Sequence, residues 1–114
     1  MQLAVLYFYK YNCYTYFRLL DINKYMKVLK FGAEWCAGCL VMKPLWREIE
    51  EEVPWLETEY YDYDQNQEKA KEYNINETLP AFVFLDKDNQ EILRLTGEIS
   101  KDELMEIIEE NKEK

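Results

Sequence analysis

Cysteines at positions 36 and 39, in the run Trp35-Cys36-Ala37-Gly38-Cys39, are the residues of this sequence best suited to chemistry. A thiolate is both a nucleophile and a metal ligand, and its availability depends on how far its surroundings lower the thiol pKa. The pair lies where a short apolar run hands over to a long helical pattern. The first N–H groups of a helix have no intrahelical partner and its dipole is positive at that end, so a thiolate there is stabilised. Two intervening residues put the second sulfur one turn into the helix, close enough to close a small ring. That arrangement suits thiol–disulfide exchange, in which Cys36 opens a disulfide in another molecule and Cys39 resolves the mixed disulfide. Such chemistry needs neither a metal nor a histidine. The chain has no His at all, which removes Ser–His and Cys–His catalysis and every His-dependent metal site. The same C-x-x-C spacing also serves metal binding, but a structural zinc site needs four ligands and only Cys13 and carboxylates remain to complete one.

The elements that must position the cysteines follow from periodicity. Val28-Leu29-Lys30-Phe31, ended by Gly32, reads as a buried strand. After the cysteines, Val41, Met42, Leu45, Trp46, Ile49 and Val53 recur at helical spacing, with Glu48, Glu50, Glu51 and Glu52 on other faces, until Pro54 stops the helix. Residues 59–64 alternate around Tyr61 and Tyr63 as a second strand. Residues 67–73 form a short polar helix with Ala70 and Tyr73 turned inward. Ala81-Phe82-Val83-Phe84-Leu85 is a third strand, Asp86-Lys87-Asp88-Asn89 is turn chemistry, and residues 91–96 make a hairpin partner before Gly97. Ser100 followed by Glu103 is a capping box that opens a last helix with Leu104, Ile107 and Ile108 on its apolar face. The order from about residue 27 is β-α-β-α-β-β-α, an α/β sheet with helices on both faces. Trp46 reads as core, and the acidic runs at 48–52 and 109–113 read as solvated helix faces.

The chain of 114 residues suffices for one compact domain, and 16% aromatic content allows a real core. With 14 Lys and Arg against 23 Asp and Glu the net charge is −9, and the cations are scattered, so the chain has no basic face for nucleic acid. No apolar run approaches the roughly 20 residues that span a bilayer. The first nine residues are apolar but lack a basic stretch ahead of them and a small-x-small cleavage site after them, so the chain reads as untargeted and cytoplasmic. Composition breaks near residue 26. Residues 1–25 hold six of the ten tyrosines, Cys13 and a single acidic residue, Asp21. They form an N-terminal extension to a domain at 26–114, either upstream sequence translated ahead of a natural start at Met26 or an added strand and helix. Cys13 reads as a small hydrophobe rather than a third redox partner.

From Met26 onward the sequence resembles the thioredoxin family. Ala33-Glu34-Trp35-Cys36 followed by Cys39 looks like the family's active-site segment. Pro44, five residues past the second Cys, matches its helix proline, and Thr78-Leu79-Pro80, with Pro80 44 residues after Cys36, looks like its cis-proline loop. The resemblance implies a thioredoxin-like fold, a central mixed β-sheet flanked by helices. It implies Cys36 as the exposed nucleophile and Cys39 as the resolving thiol. Pro80 would be cis and face the cysteines, Leu79 would offer backbone hydrogen bonds to an extended substrate, and Trp35 would border the groove. It also implies a protein-disulfide reductase and electron carrier, for which a monomer is the default state. Its only redox group would be the Cys36–Cys39 disulfide, its partners disulfide-containing proteins and a thioredoxin-reductase-like electron donor. The other readings of the same residues are a non-catalytic thioredoxin-fold binding module and a C-x-x-C metal-binding protein.

The departures from the family pattern concern the tuning of the pair. The usual Gly-Pro between the cysteines is Ala37-Gly38, and the basic residue often found after the second Cys is Leu40. The buried acid that many members carry six residues before the nucleophile is Lys30, and its usual Lys partner is Tyr60. A half-buried lysine, while charged, favours a nearby thiolate, so Lys30 is a candidate for tuning the pair. A stem long enough to snorkel to water leaves open that it affects nothing.

Overall fold

The structure, a computed structural model, describes residues 25–114. The expectations for Cys13 and the rest of the N-terminal extension ahead of Tyr25 lie outside the described residues. Seven elements follow in the expected order: β1 (Lys27–Gly32), α1 (Ala37–Glu52), β2 (Glu57–Asp62), α2 (Gln67–Glu72), β3 (Ala81–Leu85), β4 (Glu91–Thr96) and α3 (Lys101–Glu110). The four strands form one mixed sheet in the order β2-β1-β3-β4. β1 pairs parallel with β2 and antiparallel with β3, which in turn pairs antiparallel with β4. A parallel pair needs a crossover connection, and α1 supplies it between β1 and β2.

The two central strands are buried on both faces, as their near-continuous apolar runs require. Alternation sends Val28, Phe82 and Phe84 to one side, where they pack with Met42, Trp46 and Ile49 of α1 and Leu104 and Ile108 of α3. Leu29, Phe31, Ala81, Val83 and Leu85 go to the other side, against Ala70 of α2 and Ile75. Lys101 of α3 pairs with Glu48 at 3.2 Å and Glu52 at 2.5 Å, tying α3 to α1. The Ser100 Oγ accepts from the N–H of Glu103 at 3.2 Å, which satisfies one of the open donors at the start of α3. In the expected turn, Asp86 Oδ1 accepts from the N–H groups of Asp88 and Gln90, and Asn89 takes the left-handed conformation at φ 65°.

Three details differ from the periodic reading. β2 covers 57–62 rather than 59–64, because Asp62 Oδ1 accepts from the N–H groups of Asp64 and Gln65 and turns the chain there. Val41 is 49% exposed: it lies a residue off the stripe running through Met42, Trp46 and Ile49. The acidic run at 48–52 is not wholly a solvated face, since Glu50 leans against the sheet and pairs with Lys30.

Candidate functional site

β1 ends at Gly32, and four residues later Cys36 opens α1 as its N-cap. Its extended backbone is that of a cap, and its sulfur does the work usually done by a Ser or Asp oxygen. Cys36 Sγ accepts from the N–H of Cys39 at 3.1 Å. The sulfur therefore sits where open donors and the helix dipole favour negative charge. Cys36 and Cys39 are joined in a disulfide with Cα atoms 5.3 Å apart. In this bonded state Cys36 is only 7% exposed and Cys39 5%, so the openness expected of Cys36 is not seen. The bond to Cys39 and the cap hydrogen bond hold its sulfur against the helix end.

Pro44 stands inside α1 and leaves the Leu40 carbonyl without its i+4 donor, but Leu40 is exposed and water can take that place. The Leu79-Pro80 peptide is cis. Pro80 lies against the start of α1 beside the cysteines: a Cβ at Gly38 would meet Pro80 Cδ at 3.2 Å. The Ala37-Gly38 dipeptide thus makes room for the proline loop where a larger residue would press on it. Leu79 and Tyr63 pack around Ala33, Cys36 and Cys39. Trp35 is 57% exposed beside the disulfide, held by its Nε1 donating to Asp64 Oδ2 at 2.9 Å. The structure therefore gathers Trp35, Cys36, Cys39, Leu79 and Pro80 at one end of the sheet.

Lys30 shares a cavity of about 240 Å³ with Cys39, lined also by Trp46, Glu50, Tyr60 and Pro80. The lysine is held mostly away from water. Its Nζ lies 2.5 Å from Glu50 Oε2 and 5.5 Å from the centre of the Trp46 ring, and its side chain is 15% exposed. Burial raises the pKa of Glu50. Hydrogen bonds from Lys30 and Thr58, with the charges of Lys30 and Arg47, outweigh it and hold the carboxyl below its ordinary value. Sequence reasoning missed Glu50 and Asp64. Glu50 lies four residues past Trp46, on the same helical face, which was its available signal. Asp64 had none, because its partner is distant in sequence.

A dithiol that closes to a disulfide at a helix N-terminus, beside a cis-proline on a mixed α/β sheet, defines a thiol–disulfide oxidoreductase site. The comparisons agree. The family model for thioredoxin matches residues 8–110. Thioredoxin H-type 1 of Nicotiana tabacum is 31% identical over 93 residues, covering 82% of this chain and 71% of that protein. The thioredoxin of Mycoplasmoides gallisepticum is 31% identical over 91 residues, covering 80% and 88%. The crystal structure of Fasciola hepatica thioredoxin superposes with a TM-score of 0.72 at 33% identity, covering 83% of this chain and 89% of that one. The chain belongs to the thioredoxin family. It is a thiol–disulfide oxidoreductase, a protein-disulfide reductase with a redox-active C-x-x-C disulfide.

Proposed function

We propose that Cys36 is the attacking sulfur and Cys39 the resolving one, in a unit formed by residues 26–114 that works as a reductase of disulfides in partner proteins. The observation that carries this is the N-cap hydrogen bond from the Cys39 N–H to Cys36 Sγ, which favours a thiolate at Cys36 over the thiol. The Cys36 thiolate attacks one sulfur of the partner's disulfide and the other leaves as a thiolate. Cys39 then loses its proton and attacks Cys36, the bond from Cys36 to the partner breaks, and the disulfide of this structure forms. Two electrons pass from the dithiol to the partner.

Trp35, Leu79 and Pro80 flank the sulfurs and receive the partner as an extended segment, with Leu79 offering backbone groups. All five residues come from one chain, which supports action as a monomer. The dithiol is regenerated by an electron donor of the thioredoxin-reductase kind. The reductive direction belongs to a reducing compartment, the cytoplasm, where thiols persist. Reduction of insulin with dithiothreitol as electron source tests the reading. Wild type accelerates it, and Cys36→Ser and Cys39→Ser both lose that acceleration. Cys39→Ser accumulates covalent adducts with partner proteins, and Cys36→Ser does not. Adducts on Cys36→Ser instead would reverse the assignment.

A further inference from the structure

Gly32, at the end of β1, is the place where two distant side chains come together. A Cβ there would meet the Tyr60 hydroxyl oxygen at 3.0 Å and Cys39 Sγ at 3.2 Å. With no side chain at Gly32, the space that the hydroxyl and the sulfur both border stays open, although Tyr60 as a whole is 46% exposed. Parallel pairing fixes the approach, since Tyr60 of β2 stands opposite Lys30 in the register and so beside the last residues of β1. The hydroxyl, the sulfur and the Lys30–Glu50 pair all border the same cavity.

We infer that the Tyr60 hydroxyl donates a hydrogen bond to the Cys39 sulfur across Gly32, directly or through one water, and so stabilises the thiolate that resolves the mixed disulfide. This rests on Cys39 being the resolving thiol. Tyr60 acts through Cys39, as a positioning residue that gives a hydrogen bond and keeps its own proton. The Cys39 proton leaves to solvent entering the cavity, and the departing partner thiolate takes one up from solvent. Burial, then the charges of Asp62 and Glu34, push the Tyr60 pKa above its ordinary 10.0, so the phenol remains a donor throughout the range in which thiols titrate. The remaining charged groups lining the cavity beside Cys39 are Lys30 of β1 and Lys43, Arg47 and Glu50 of α1. Lys30 is matched by Glu50, which leaves the hydroxyl as a directional donor that a charge-balanced pair does not replace.

Tyr60→Phe removes the hydroxyl alone. A hydrogen bond to a charged group is lost, so the Cys39 pKa, read by thiolate absorbance in a Cys36→Ser background, rises by about one unit. Resolution of a preformed mixed disulfide at pH 7 slows about threefold, a roughly tenfold loss of thiolate being partly offset by the greater nucleophilicity of a more basic one, and its pH profile moves up by about one unit. Attack by Cys36, measured as adduct formation in Cys39→Ser, keeps its rate when Tyr60→Phe is added. Gly32→Ala fills the gap from the other side and gives the same selective slowing. An unchanged Cys39 pKa and pH profile in Tyr60→Phe would overturn the inference. Equal slowing of attack and resolution would do so too, because it marks a merely structural role. Both outcomes are separate from failure of the parent reading, which shows in wild type as no insulin reduction and in Cys39→Ser as no adduct.

Discussion

The Lys30–Glu50 pair offers a direct test of how the interior beneath Cys39 is held. The side chains are 15% and 35% exposed, and Thr58 Oγ1 donates to the same Glu50 oxygen at 2.8 Å. Breaking a fully buried pair costs about 3–5 kcal/mol and breaking an exposed one about 0–1 kcal/mol. Solvent reaches a third of Glu50, so the coupling energy from a Lys30→Met, Glu50→Gln double-mutant cycle is about 1–2 kcal/mol. Glu50→Gln is the more damaging single change, because it strands the charge of the more deeply placed partner. Lys30→Met keeps apolar contact with Trp46 and leaves a carboxylate that still holds Thr58. The pH dependence has a definite sign. The folded pKa of Glu50 lies below its unfolded value of about 4.5, so the stabilisation is complete above that value and disappears as pH falls through the folded pKa. The stability gap between wild type and Lys30→Met, read by urea unfolding of the oxidised protein, is therefore present at pH 7 and narrows at pH 3. Additive single-mutant effects at pH 7, or a gap of the same size at pH 3, would refute the reasoning.

The same pair borders the cavity that Cys39 lines, so breaking it is expected to change the field at the cysteines. Glu50→Gln unmasks Lys30 beside the cavity and lowers the thiolate pKa of the pair, whereas Lys30→Met raises that of Cys36, both read by absorbance titration. An unchanged Cys36 pKa in Lys30→Met defeats the tuning role of Lys30. Phe84 is fully buried between the sheet and the helices α1 and α3, so Phe84→Ala lowers stability by about 3–5 kcal/mol in denaturant unfolding. Gly97 adopts φ +89° with nothing within 4 Å of where a Cβ would stand. Gly97→Ala consequently costs about 1–2 kcal/mol of backbone strain with no clash, and a loss of less than half that would place the strain elsewhere.

What the sequence determined was whatever depends on residues close together along the chain. The C-x-x-C at a strand-to-helix junction, the stop at Pro54, the Ser100 cap, the Asp86 turn and the alternation that buries β1 and β3 are local physics. Spacing and side-chain type suffice to read them. The thioredoxin-like frame also put Trp35, Leu79 and Pro80 beside the cysteines. Tertiary structure decided what lies beneath the disulfide. Lys30 was legible as an anomaly, but its partner Glu50 comes from the far end of α1, and the one local sign at Glu50, its place four residues past Trp46, does not say that it meets Lys30. Trp35 with Asp64, and Tyr60 with Cys39 across Gly32, depend on the register of β2 against β1. A one-residue slip in that pairing would send every side chain of β2 to the opposite face, so the chemistry around the second sulfur belongs to strand alignment rather than to the motif that contains it.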